Sequence, residues 1–322
     1  MTRTALLASL AALVLVHGVS VIGQGNKTPM TPWGEPDLQG TWTAEAELSV
    51  PFERPREYGT RQVLSDAEFK QRETQSERQL QNDNSDFDLE TADRSTAGQV
   101  GSATSPPPHW LERRKISRRT SLVIDPPDGR VPPLTPEAQA RQTRAPLSGD
   151  NGADRPQDLS LWVRCIGRGM PSAIFPTVYN ANVQIVQAPG VVALTYEMIH
   201  DTRIIRTDGS PHAGAGVRGY FGDSRGHWEG DTLVVETVGF NDQFWFDFVG
   251  HPHTTQLKTV ERYTRKDEGT LENVTTITDP GAYAKPFTIK FTATLRPGWD
   301  LMEYICNENN QDVEHIRGKA GL

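Results

Sequence analysis

The chain has 322 residues, a formal net charge of −8, 36% apolar residues, 28 Gly, 23 Pro and two Cys, with a mean hydropathy of −0.54. The acidic balance excludes a chain built to coat nucleic acid, which needs a basic face, and no internal apolar run reaches the roughly 18 residues of a membrane span, so no stable membrane insertion is expected. Length alone suggests about two domains, but the apolar fraction comes near the usual ~45% only once Gly is counted, which supports a core over part of the length.

Residues 1–25 read as a secretory signal. Arg3 gives the positive start, Ala5 to Val16 the short apolar stretch, and Val21/Gly23 or Gly18/Ser20 the small residues of a cleavage site. No basic stop-transfer group follows, and no Cys stands near the cleavage region to take a lipid. A periplasmic or secreted location is expected. In such an oxidising compartment Cys165 and Cys306 form one disulfide by default. It closes a long loop and contributes up to ~4–5 kcal/mol in the chain-entropy picture. The other uses of the pair, a reactive thiol or a metal site, lack CxxC spacing.

Residues 26–157 form an irregular, Pro-rich segment with one or two short helices. Ser65-Asp66-Ala67-Glu68 has capping-box spacing and opens a charged helix to about Leu80. Asn82 to Pro108 is a polar stretch with loop composition. Arg113-Arg114-Lys115-Ile116-Ser117-Arg118-Arg119 is the one basic run; it is read as a solvated edge or a partner for the acidic remainder rather than a polyanion contact. Ser121 to Asp125 is a short strand closed by Pro126-Pro127-Asp128-Gly129, and Thr135-Pro136-Glu137 places Pro in the first turn of a short helix.

Residues 158–322 form the β domain. Strands are predicted at Val183 to Gln187, Val191 to His200, Arg203 to Arg206, Ser224 to Trp228, Thr232 to Phe240, Thr259 to Arg265, Leu271 to Thr278, Phe287 to Leu295 and Met302 to Cys306. Short Gly, Asp and Pro turns separate them. The fold class is mainly β, an antiparallel meander closed as a barrel, with a β-sandwich as the alternative; closure hides the edges of so long a meander. With the cysteine pair spanning this half, one domain in a long wrapping sleeve is favoured.

Gly40-Thr41-Trp42 resembles the Gly-x-Trp that opens the first strand of lipocalin-like barrels, where the Trp plugs the closed end. A wider resemblance rests on Glu35-Pro36-Asp37-Leu38-Gln39-Gly40-Thr41-Trp42, Val123-Ile124-Asp125-Pro126-Pro127-Asp128-Gly129-Arg130, Met198-Ile199-His200-Asp201 and, above all, Gly222-Asp223-Ser224-Arg225-Gly226-His227-Trp228-Glu229-Gly230-Asp231-Thr232-Leu233-Val234-Val235-Glu236-Thr237. These segments are similar to a family of exported proteins abundant in acidobacteria and some proteobacteria, marked by a GDSRGxWEGDTLVVET-type motif. The resemblance implies export and a bacterial source, and carries no activity over.

Polar residues of the β half gather in three places. In Tyr196-Glu197-x-x-His200-Asp201-x-Arg203, an extended strand puts Tyr196, Met198 and His200 on the face of Val192 and Leu194. A His looking into an apolar cavity can act as general base or acid; the alternative is a core-edge His bonded to a carbonyl. In the second group Trp228-Glu229-Gly230-Asp231-Thr232 reads as a hairpin, while Asp223 and Arg225 share a strand face. They form either a structural ion pair or a clamp for a carboxylate or sugar hydroxyl. The third group is amide-rich and aromatic: Tyr179-Asn180-x-Asn182-x-Gln184, Phe240-Asn241-Asp242-x-Phe244-Trp245-Phe246-Asp247-Phe248 and Asn307-Glu308-Asn309-Asn310. Amides and rings suit neutral hydroxylated ligands. The aromatic loop is a lid, a partner contact or a plug on the protein's own core. His251 and His253 could chelate a metal with His200, His212, Asp201 or Glu229, but HExxH and other tight spacings are missing, so no metal and no cofactor is expected. G-x-S-x-G, GxGxxG, P-loop and CxxCH patterns are also absent from the sequence.

The leading expectation is an exported barrel that binds a small, partly apolar, hydroxylated molecule through Tyr179, Asn182, Tyr196, Arg203, Arg225, Trp228 and Asn241. A second is a cofactor-independent lyase, isomerase or hydrolase, with His200 as base oriented by Asp201 or Asp223. A third is a protein-interaction module docking through Phe244 to Phe248. Oligomeric state is not readable from the sequence.

Overall fold

Alternating side chains build the molecule around one sheet. The computed structural model describes residues 28–85, 116–142, 161–162, 164–177, 180–244 and 250–306. Ten strands run β1 (Gly40–Thr43), β2 (Val123–Asp125), β3 (Asn182–Ala188), β4 (Val191–Tyr196), β5 (Thr202–Arg206), β6 (Asp223–Glu229), β7 (Thr232–Val238), β8 (Lys258–Arg265), β9 (Thr270–Thr278) and β10 (Phe287–Leu295). Among the described residues two α-helices accompany them, α1 (Asp66–Ser85) and α2 (Pro136–Gln142). The strand order is β1-β3-β4-β5-β6-β7-β8-β9-β10, and β10 pairs back onto β1, so nine strands close a lipocalin-like barrel. Strand β2 adds to β10 through Thr288↔Asp125. Closure rules out the sandwich, which would leave two open sheets.

The period-2 pattern sends one residue set inward. Phe287, Ile289, Phe291 and Ala293 on β10 meet Leu271 and Ile277 on β9, Ile185 on β3 and Val192 and Leu194 on β4, all in one buried cluster. Trp42 belongs to this cluster, with its indole N–H donating to the Leu38 carbonyl at 2.9 Å. The Arg265 guanidinium lies 5.3 Å over the Trp42 ring and donates to the Asp37 and Glu268 carbonyls. Trp42 is thus buried inside the barrel, 1% exposed. Gly40 is obligatory there, since its φ is +129° and a Cβ would stand 2.6 Å from Leu295.

Four expectations are corrected. First, the barrel is not wholly antiparallel, because β5 meets β6 in parallel at Arg206↔Arg225 after a 16-residue connection, residues 207–222. Second, the N-terminal segment is not only an irregular sleeve, since its β1 is a barrel strand and its β2 pairs with β10 of the barrel. Third, β4 stops at Tyr196 instead of His200. Glu197 to His200 make a tight turn in which Ile199 and His200 take left-handed φ values of +62° and +45°. Fourth, Met302 to Cys306 is irregular rather than a strand.

The helices follow their signals. The Ser65 N–H donates to the Glu68 carboxylate at 2.8 Å and the Glu68 N–H to Ser65 Oγ at 3.4 Å, a capping box at the start of α1. Of the basic run, the described Arg118 pairs with Asp66 at 2.6 Å and Arg119 with the buried Glu47 at 3.3 Å, so both serve pairing. The stretch 86–108 and residues 113–115 lie outside the described residues.

The long motif Gly222 to Thr237 has a structural logic. Ser224, Gly226 and Trp228 point into the barrel, where a Cβ on Gly226 would stand 2.9 Å from Ile205 across the parallel step. Glu229, Gly230, Asp231 and Thr232 close the β6–β7 hairpin. Gly222 has φ +64°, and a Cβ there would stand 2.6 Å from the Val238 carbonyl oxygen. Gly222→Ala is expected to destabilise the protein by about 2–3 kcal/mol. Gly230→Ala, with φ +59° but open space around it, is expected to lose only about 1 kcal/mol. Urea melts of both variants check the contrast.

Candidate functional site

Among the described residues, polar groups around Arg203 and Asn273 and a cavity lie inside the barrel. The first group centres on Arg203 of β5 and Glu261 of β8, joined by two N–H···O bonds of 2.7 Å. Arg203 also donates to Ser224 Oγ at 2.9 Å and Thr237 Oγ1 at 2.7 Å. Tyr263 donates its hydroxyl to Glu261 at 2.7 Å. Burial works against the Arg203 charge, but the Glu261 carboxylate more than offsets it and holds the guanidinium protonated. Burial, with Glu261 beside it, pushes the Tyr263 hydroxyl well above the ordinary tyrosine range. Every charge in this group is met, the pattern of a structural ion pair. The second group is Asn273, whose carboxamide oxygen accepts from Thr275 at 2.7 Å.

The cavity lies between β1, β3 and β4 on one side and β9 and β10 on the other, with Tyr263 of β8 in its wall. Trp42, Ile185, Leu194, Met198, Leu271 and Phe291 give it an apolar lining, and Tyr196, Asn180, Asn182 and Arg168 bring polar groups. Its free volume is about 50 Å3, room for a few waters and well below the ~300 Å3 of a drug-sized pocket. The segment Arg164 to Thr177 covers it. Met170, Ala173, Ile174 and Phe175 of that segment are buried, and Phe175 packs 5.3 Å from Phe52. Its other end is pinned by the Cys165–Cys306 disulfide.

Tyr196 is the polar feature aimed inward. It is 3% exposed, and its hydroxyl lies near Arg203 without meeting hydrogen-bond geometry. Burial pushes it up to about 12, so it remains a donor at any working pH. Asn182 is fastened: its amide donates to Glu197 at 2.8 Å, and Glu197 also accepts the Met302 N–H at 3.0 Å.

The other sequence-expected residues do not converge on this cavity. His200 is exposed on the turn after β4, because the left-handed backbone breaks the alternation that would have carried it inward. Asp223 and Arg225 do share a face and pair at 2.6 Å, but it is the outer face of β6. There the Asp223 carboxylate also takes the Ala213 N–H and lies 2.8 Å from His212 Nδ1, fastening the 207–222 connection. These bonds outweigh partial burial and hold the Asp223 carboxyl below its ordinary range. Trp228 packs partly buried against the core. Asn241 caps a turn by accepting the Gln243 N–H at 3.1 Å. The single site expected from these residues is thus divided between interior, outer face and turn. Tyr179 lies outside the described residues, as do 245–249 and 307–310.

His251 and His253 are both buried, among aromatic rings: His251 stands 6.0 Å from Phe52 and His253 4.1 Å from Phe244. Burial lowers the His253 basicity. Among the described residues no group of three His, Cys, Asp or Glu is placed to hold a metal. Phe240 and Phe244 belong to the core, so the described part of the aromatic loop is a plug on the protein's own interior. No helix among the described residues is long and apolar enough to cross a membrane.

Glu261 and Tyr263 were missed by sequence reasoning. On β8 the inward Thr259, Glu261, Tyr263 and Arg265 alternate with Val260, Arg262 and Thr264, so both faces look polar. The usable signal was the lone interior Arg203 on β5, which needs a buried acid as partner.

Asp201 stands behind the covering segment. Its carboxylate takes the Arg168 backbone N–H and would be 2.8 Å from a Cβ on Gly167. Burial raises it to about 6 from an ordinary 3.8, against the Arg168 N–H and the His200 and Arg168 charges. A carboxyl raised on folding favours the protonated protein. Its stabilising effect is therefore full below about pH 4 and is lost as the pH rises to about 6. Asp201→Asn is expected to match the parent at pH 4 and exceed it by about 1 kcal/mol at pH 7.5, a figure reduced for solvent screening. Urea melts at the two pH values check this.

Comparison of the chain with protein families, curated proteins and solved structures finds no match.

Proposed function

We propose that the chain is an exported barrel protein that binds a small, partly apolar organic molecule in the cavity under residues 164–177. One observation carries this: the Tyr196 hydroxyl, buried and aimed into an apolar cavity, has no hydrogen bond of its own. A buried donor left unmet costs about 1–3 kcal/mol, which a ligand acceptor removes. Trp42, Leu271 and Phe291 suit the ligand's apolar body and Asn180 its further polar groups. The cavity volume suits a compact molecule of a few heavy atoms, and a larger one requires the covering segment to lift. The apolar N-terminal stretch, the disulfide and the resemblance to exported bacterial proteins support the location.

The enzyme alternative loses its base, since His200 stands on the surface and the interior acid Glu261 is engaged by Arg203. Native mass spectrometry of protein purified from its own source tests the binding function. A retained molecule of defined mass, released on unfolding and lost in Leu271→Trp, is the expected result. A bare mass for the native protein, with no molecule released on unfolding, would overturn it.

A further inference from the structure

We infer that the ligand presents a neutral carbonyl oxygen to Tyr196, so that the cavity takes a small ketone, ester or lactone rather than an alcohol or an acid; this rests on the barrel-binding function proposed above. The direction of the Tyr196 hydroxyl carries the inference. That hydroxyl is buried, has no hydrogen bond of its own, and lies beside the Arg203 guanidinium. A guanidinium has donors only, so the Tyr196 oxygen turns its lone pairs toward Arg203 and its hydrogen away from it. The nearby Tyr263 hydroxyl spends its own hydrogen on Glu261 at 2.7 Å. What Tyr196 offers the cavity is therefore a hydrogen, and the ligand atom that matches it is an acceptor.

The same neighbours disfavour an alcohol. Its own hydrogen needs an acceptor near Tyr196, and Glu261 has none left to give. Arg203 donates to that carboxylate twice at 2.7 Å, Tyr263 once at 2.7 Å and Thr259 once at 3.3 Å, which fills its lone-pair sites. Thr177 lines the wall as a second hydroxyl without a hydrogen bond; it can turn to donate or to accept and does not discriminate. An acid brings a charge to a place where Arg203 is already matched by Glu261. A carbonyl oxygen takes the Tyr196 hydrogen and adds neither a hydrogen nor a charge to the interior. Trp42, Leu271 and Phe291 leave apolar surface for its carbon substituents.

The test uses the full chain and compact probes: butanone, the olefin of the same shape with a methylene in place of the oxygen, sec-butanol, and butyrate. Butyrate is included because Arg168 puts a positive charge in the wall. The methyl of Met198, which lines the cavity, reports occupancy by NMR. Butanone is expected to bind saturably, about three-fold or more tightly than sec-butanol and than butyrate. Tyr196→Phe should weaken butanone by about three- to ten-fold, leave the olefin unchanged and move the bound carbonyl carbon signal upfield. Without a probe this variant should keep its urea midpoint, because no hydrogen bond is lost; a lower midpoint would make the hydroxyl structural and overturn the inference. Equal weakening of ketone and olefin would overturn it too, as would sec-butanol or butyrate bound as tightly as the ketone; each of these leaves the barrel function standing. Binding of no probe also overturns it, and the retained-ligand mass measurement then judges the barrel function separately.

Discussion

Glu261→Leu is expected to lose about 3–5 kcal/mol of stability, among the largest effects of any single substitution in this chain. Glu261 is fully buried and receives two donors from Arg203 and one from Tyr263. Removing it leaves a guanidinium inside the barrel with the hydroxyls of Ser224 and Thr237 but no counter-charge. Arginine does not shed its proton within the working pH range, so the charge stays and its desolvation is uncompensated. The double variant Arg203→Met/Glu261→Leu removes both charges and is expected to recover much of the loss. Recovery stays incomplete because Ser224, Thr237 and Tyr263 lose partners as well. Guanidinium melts of the two single variants and the double variant close the cycle. A double variant no better than Glu261→Leu would show that the pair acts through packing rather than charge.

That cluster also marks where the sequence stops being legible. Strands β3 to β10 were visible because several, β4 and β10 above all, place apolar residues at every second position and because turn residues such as Gly190, Gly230 or Gly298 punctuate the chain between or after them. Strands β1 and β2 show why the N-terminal segment was undervalued. They are four and three residues long, and their partners Ile185 and Thr288 lie more than a hundred residues away, so no local pattern reveals the pairing. Period-2 logic also assumes an unbroken strand. At Glu197 to His200 the left-handed turn interrupts it, and His200 is carried out to solvent while Arg203 is carried in. The cavity itself was half legible. Tyr196 and Asn182 follow from alternation, but Arg168 and its covering segment have no periodic signal and are positioned by a disulfide and a plug.

The disulfide is the second place where a large effect is expected. Cys165→Ala/Cys306→Ala should lose about 2–5 kcal/mol, since the bond spans 141 residues and restricts the unfolded chain strongly. The loss should not fall evenly on the folded protein. Barrel strands such as β8, β9 and β10 are held by continuous ladders independent of the bond. The covering segment is different: its backbone bonds Ala173 N–H to Gly169, Ile174 N–H to Pro171 and Phe175 N–H to Ser172 run within itself, and isolated bonds, Met170 N–H to the Tyr220 carbonyl and Arg168 N–H to the Asp201 carboxylate, join it to its surroundings. Its burial and the Cys165 tether keep it over the cavity. Amide exchange should therefore accelerate first in residues 164–177, by about ten-fold or more relative to β9, under conditions where the barrel remains folded. Peptide-resolved hydrogen exchange of the parent and the double-Ala variant measures this. A uniform acceleration across β8 to β10 would mean that the bond stabilises only through the unfolded chain. Local acceleration would identify the tether as what keeps the cavity closed, and would predict faster ligand entry and release once it is cut.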